Sequence, residues 1–74
     1  RLSTLSLPLL SPWHGKTLAE LHWPALGVRL VGLRRANGKP EVLSDALELQ
    51  PGDTLVVSGT PRTLALFEDK LIQG

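Results

Sequence analysis

The sequence has no cysteine, no methionine and no tyrosine, and its aromatic residues are two tryptophans and one phenylalanine. Without cysteine there is no disulfide framework and no thiolate zinc site, and a reducing compartment is favoured. The three aromatic side chains do not alternate with the basic ones. They make a poor platform for stacking bases, so no nucleic-acid partner is expected. Charge of one sign is also missing. Eight Lys and Arg face seven Asp and Glu, a formal charge of +1, which steers the chain toward no particular partner. The longest stretch without a charge, Leu2 to Gly15, is broken by Pro8 and Pro12. It is too short to span a bilayer and lacks a signal-peptide pattern. A soluble chain without direct membrane insertion is expected. Internal repeats and low-complexity segments are absent.

At 74 residues the chain forms one domain at most. A chain of this size buries only about 60% of its unfolded surface, so its core is marginal. Arg1 stands where a complete chain would begin with Met. We therefore expect residues 1–74 to be one piece of a longer protein, with a function that belongs to the parent.

What is present is concentrated in the last third, QPGDTLVVSGTPRTLALFEDKLIQG, Gln50 to Gly74. Pro51-Gly52 fits the central positions of a type II turn, because Pro presets φ and Gly accepts φ > 0. Leu55-Val56-Val57 is a short β-branched apolar run, a buried strand. Gly59 permits a corner, Thr60 is a good N-cap, and Pro61 suits the first helical position. The following helix places Leu64, Phe67 and Leu71, flanked by Leu66 and Ile72, on a broad apolar face. Arg62, Glu68, Asp69 and Lys70 are left for solvent.

The earlier chain supplies the remaining layers. Arg1 to Leu10 alternates with period two, Leu5, Leu7 and Leu9 on one side, and Pro8 marks either an edge strand or the end of the strand. Ser11 to Gly15 is a loop. Thr17-Leu18-Ala19-Glu20 fits a capping box, opening a short helix that runs to His22 or Trp23 and is stopped by Pro24. Gly27 to Arg35 is the central strand, with Val28, Leu30, Gly32 and Arg34 on one side and Arg29, Val31, Leu33 and Arg35 on the other. Asn37-Gly38 is a hairpin turn, and Lys39 to Leu43 returns as a strand. Ser44 to Gln50 is a turn or loop with Ala46, Leu47 and Leu49 tucked under the sheet. The result is an α+β domain of order β-α-β-β-β-α, a mostly antiparallel sheet with two helices on one face. Two helices cover one face only. The apolar residues on both sides of the central strand therefore imply a second cover, a second copy or a neighbouring domain of the parent.

Catalytic and metal motifs are weak. Gly15-Lys16-Thr17 resembles the end of a phosphate-binding loop, but Leu10 stands where its first glycine belongs and Pro12 and Trp13 fill the loop. His14 and His22 lack the spacing of a helical metal pair. Ser11 and His14 have no nucleophile elbow or oxyanion glycines around them, so no catalytic residue is assigned and no enzyme is expected. Arg29, Arg34, Arg35 and Lys39 form a stretch free of acids. It is either an anion site or a solvated strand end balanced by Glu41, Asp45 and Glu48. Arg34 and Arg35 point to opposite faces, so at most one belongs to a given site. Trp13 and Trp23 either close one end of the core or anchor an interface, and Trp13, in the loop, is the more exposed of the two.

The series GKTLAEL, GVRLVGLRRANGKP and LQPGDTLVVSGTPRTLALFEDKL resembles the TrkA C-terminal, or RCK C-terminal, domain family over about residues 4–72. The resemblance lies in the order of Gly15-Lys16-Thr17-Leu18, Arg35, Gly38, Pro40, Gly52-Asp53 and Gly59-Thr60. It implies a non-enzymatic regulatory module of potassium channels, potassium uptake systems or cation–proton antiporters, at the cytoplasmic face of its parent. Such modules dimerise and accompany transmembrane and nucleotide-binding domains. In some members the dimer interface binds cyclic di-AMP or a cation. Under that reading Arg34, Arg35, Lys39 and Pro40 are the ligand-binding candidates and Trp13, Val31 and Leu33 the interface candidates. No resident cofactor is expected, and a small anionic ligand such as cyclic di-AMP is the candidate effector. The competing reading is a protein-interaction or assembly module without a small-molecule ligand.

Overall fold

The computed structural model describes residues 1–73; Gly74, the last residue of the closing unit, lies outside them. The elements are β1 (Leu2–Ser6), two 3₁₀ turns (Leu18–Glu20 and Trp23–Leu26), β2 (Arg29–Arg34), β3 (Thr54–Ser58) and α1 (Pro61–Gln73). The strands form a three-stranded antiparallel sheet in the order β1-β3-β2. The α+β class is as expected.

The closing unit forms as its residues dictate. Asp53 N–H donates to Gln50 O at 3.2 Å, and Gly52 takes φ +83°. A Cβ there would also sit 2.8 Å from the Ala36 Cβ. Gly52→Ala is therefore expected to cost about 2 kcal/mol from left-handed strain alone, plus the contact. Urea unfolding checks this, and Ala36→Gly should restore only the contact part. At the helix start the Thr63 N–H donates to Thr60 Oγ1 at 3.2 Å and Thr60 N–H donates back to Thr63 Oγ1 at 3.0 Å. Leu64, Phe67 and Leu71 are buried. Leu66 and Ile72 are not part of that face and remain 58% and 65% exposed.

β1 is an edge strand and stops at Ser6 before Pro8, as Pro8 implied, so Leu7 is buried but Leu9, expected beside it, is exposed. Other expectations are corrected. The first helix is one 3₁₀ turn ending at Glu20, and Pro24 opens a second turn instead of closing the first. The cause is a competing ladder. Leu18 and Ala19 give their N–H groups to Leu47 O and Asp45 O, and Gly15 N–H donates to Leu49 O. That ladder also draws Leu49 into the core, while Ala46 stays exposed.

The strand expected over Lys39 to Leu43 does not form. The Asn37-Gly38 turn closes, with Arg35 N–H donating to Lys39 O at 2.9 Å and Glu41 N–H to Leu33 O at 3.0 Å. Pairing ends there, and Val42 is 88% exposed. A register shift between Leu30 and Gly32 is the reason. Such a bulge twists the outer edge of a strand away from further pairing.

The same bulge reverses side-chain parity. Leu30 lies opposite Val57 and Leu33 opposite Leu55, so both face the core. Leu33 is thus a core residue and not the exposed interface residue the alternation implied. The second face of β2 carries Arg29, Gly32 and Arg34, with Val31 half-exposed at the bulge. It is not the second apolar face expected from strict alternation.

Candidate functional site

Three features gather around the hairpin and the outer edge of β2. The first is a latch. Arg35, one residue past β2, points to the core side while Arg34 lies on the opposite face, as their adjacency requires. The Arg35 guanidinium donates to Asp53 Oδ2 at 2.7 Å and to Glu48 O at 3.0 Å, and its Nε lies 3.7 Å from Glu41 Oε1. Asp53 is fully buried, and its Oδ2 also accepts the Gln50 N–H at 2.8 Å. Its Oδ1 has no partner among the described residues. Arg35 therefore ties the hairpin to the turn that precedes β3.

The second feature is a polar concavity of about 540 Å³ beside this latch, lined by Arg35, Asn37, Lys39, Glu41, Gln50 and Asp53 among others. Of the ligand candidates it takes Arg35 and Lys39. Arg34 bonds to Gly38 O at 3.1 Å on the other side, and Pro40 pairs across from Arg34. The four residues do not converge on one site. The two cations lining the concavity are matched by Glu41 and Asp53, which leaves no net positive field.

The third is an apolar groove of about 510 Å³, lined by Leu18, Trp23, Pro24, Val28, Leu30 and Leu43, with Arg29 and Asp45 also bordering it. Sequence reading missed it, because its wall is assembled from the second 3₁₀ turn, β2 and the segment released when Lys39 to Leu43 failed to pair. The available signal was Trp23-Pro24 followed by Gly27, which pins an aromatic beside the strand. Trp23 is held by its indole N–H, which donates to Leu18 O at 3.1 Å.

Trp13, expected at an exposed interface, is buried. It packs with Trp23 and Phe67 at ring distances of 6.4 and 5.7 Å. The Ser11 hydroxyl, the other buried polar group of this loop, accepts the Trp13 N–H at 3.1 Å. Glu20 accepts the Thr17 N–H at 2.6 Å and its hydroxyl at 3.1 Å. Those two bonds, in that order, hold its carboxyl below the usual range, Lys16 adding a smaller effect. Among the described residues no three His, Cys, Asp or Glu side chains come together as metal ligands. No described helix is long and apolar enough to cross a membrane.

Comparison with known proteins gives one family. No curated protein matches the sequence. A solved structure, a GsuK channel bound to NAD, superposes with a TM-score of 0.74 at 21% identity, over 99% of this chain and 14% of that one. At that identity the likeness is one of fold, and this chain spans about a seventh of the channel's length. The model of the TrkA-C domain matches residues 2–72. That covers every strand, both 3₁₀ turns and all but the last residue of α1, and the chain belongs to the TrkA-C domain family.

Proposed function

We propose that this chain is a non-catalytic regulatory domain of a monovalent-cation transport protein, with potassium the ion moved and a channel, uptake system or antiporter as the parent. The observation that carries this reading is the family match over residues 2–72. The likeness in fold to a GsuK channel is consistent with a channel among these parents. The domain acts at the cytoplasmic face of its parent, beside transmembrane or nucleotide-binding domains. It works as a homodimer whose relative orientation passes to the transport domain as a population shift.

The contact between copies runs along the outer edge of β2, where Val31 and Val42 are exposed and the bulge leaves backbone unpaired. The effector, cyclic di-AMP or a similar small anion, uses the apolar groove that opens beside this edge. Trp23 and Leu30 offer a purine an apolar wall, and Arg29 offers a phosphate its guanidinium. Arg35 and Lys39 contribute less to binding than their charge implied, because Arg35 is already engaged by Asp53 and Glu41. That engagement favours a second reading, an assembly domain that dimerises without any ligand.

Light scattering over a concentration series gives the solution mass first. A dimer supports both readings, and a strict monomer at high concentration removes homodimerisation from the proposal. Calorimetry with cyclic di-AMP then separates the readings. Binding weakened about tenfold or more by Arg29→Ala, as expected when a guanidinium–phosphate contact is removed, supports the ligand-sensing domain. No heat above dilution leaves the assembly domain.

A further inference from the structure

The open face of the sheet carries a surface of which the regulatory reading uses Arg29 alone. Register places Thr4, Ser6, Thr54, Ser58, Arg29 and Arg34 on it. Its centre is apolar: Val56 sits between Thr4 and Gly32, and Leu2 at the border is 62% exposed. Gly32 raises no side chain beside Val56, and both residues are half-buried.

The distribution of charge is one-sided. None of the seven acidic residues lies in a strand. Glu20 belongs to the first 3₁₀ turn, Glu41, Asp45, Glu48 and Asp53 to the connection before β3, and Glu68 and Asp69 to α1. Of the carboxylates beside the sheet, Asp53 is buried on Arg35, Glu41 lies 3.7 Å from Arg35, and Asp45 borders the groove that Arg29 also lines. A chain that is nearly neutral as a whole therefore has a sheet face whose own strands bring two arginines, a row of hydroxyls and no carboxylate. An apolar centre bordered by arginine and hydroxyl groups is the composition of a protein–protein contact surface.

We propose that this face docks an acidic surface of another protein or domain. Charge selects that occupant over two others. A second copy stacked through the same face with β2 over β2 would bring together the arginines of both copies, a disfavoured like-charge arrangement. A nucleic acid is disfavoured because the face has no aromatic side chain to stack on a base and two cations where backbone binding takes more. The inference stands on the sheet alone and does not depend on the effector or on the dimer.

The test is an amide chemical-shift titration of the 74-residue chain with a poly-glutamate peptide at low salt. Shifts should concentrate at Thr4, Ser6, Gly32, Thr54, Val56 and Ser58. Apparent affinity should fall about tenfold or more in Arg29→Glu/Arg34→Glu, as expected when rim charges are reversed, and should fall as salt is raised. Arg62→Glu/Lys70→Glu on α1 should leave the affinity unchanged. The spectra of the free variants report that the fold is kept. Shifts spread over Lys16, Lys39, Arg62 and Lys70, or none at all, overturn the proposal. So does an oligothymidylate that moves the same amides at lower concentration than the peptide.

Discussion

Phe67→Ala is expected to remove about 3–5 kcal/mol of stability, the range for emptying an aromatic site in a core. Phe67 is 1% exposed and its ring lies 5.7 Å from those of both Trp13 and Trp23. Its ring meets both tryptophan rings, so it joins the helix to the 11–16 loop and to the second 3₁₀ turn. The loop around Trp13 is otherwise held by backbone bonds, Gly15 N–H to Leu49 O and Leu49 N–H to Lys16 O, which do not fill the vacated space. A domain of this length has roughly 4–11 kcal/mol in total, so the variant should lose about a quarter of it or more. Urea unfolding followed by tryptophan fluorescence measures it directly, since both tryptophans line the cavity. The matched control is Leu66→Ala, one position earlier and 58% exposed, expected within about 0.5 kcal/mol of the parent. Equal losses for the two would mean that α1 is docked by a different face.

That pair marks how much of the fold was legible in the sequence. The 3.6-residue period placed Leu64, Phe67 and Leu71 correctly because a helix buries a stripe whatever it meets. The width of the stripe depends on what the helix lies against, and the small sheet has too little surface to reach Leu66 and Ile72. Turns were legible for a similar local reason. Pro51-Gly52, Asn37-Gly38 and Thr60-Pro61 each carry their own dihedral preference, and each forms where it was placed. The bulge at Val31 left only a local hint: Leu30-Val31 break the alternation of GVRLVGLRR and Gly32 is a residue that often marks a bulge. Its effect on register was not legible, and one extra residue moved Leu33 into the core. It also denied Lys39 to Leu43 a partner strand, and both effects needed the positions of β3 and the hairpin together.

The candidate site divides along the same line. The acid-free run from Arg29 to Lys39 was visible, but partners in sequence are not partners in space. Asp53 is 18 positions from Arg35 and entered the sequence reading only in the Gly52-Asp53 pair before the last strand. Once the chain folds, the arginine that ended the central strand becomes a strut, and the groove bordered by Arg29 becomes the better pocket. Of the basic residues singled out, Arg29 and Lys39 are exposed and make no ion pair among the described residues.

Arg35→Met is accordingly expected to act on stability before it acts on any ligand. Methionine keeps most of the aliphatic stem but leaves the Asp53 carboxylate, fully buried, with the Gln50 N–H as its one remaining donor. Removing one partner of a buried ion pair costs about 3–5 kcal/mol, most of it from the charge left unpaired. The Glu48 carbonyl and Glu41 carboxylate lose their contacts as well, though both are near solvent and add little. A second change separates this account from simple loss of packing. Asp53→Asn in the Arg35→Met background removes the stranded charge and keeps an oxygen for the Gln50 N–H. The double variant should then be more stable than Arg35→Met alone, by about 1 kcal/mol or more, the coupling expected of residues in direct contact. In the parent background Asp53→Asn should be destabilising, because it weakens a charge-assisted bond that Arg35 still offers. A destabilising effect of Asp53→Asn in both backgrounds, measured by denaturant midpoint, would show that Asp53 does not depend on Arg35 for its burial. Arg35 would then be free to serve a ligand in the polar concavity, as its position beside Lys39 first implied.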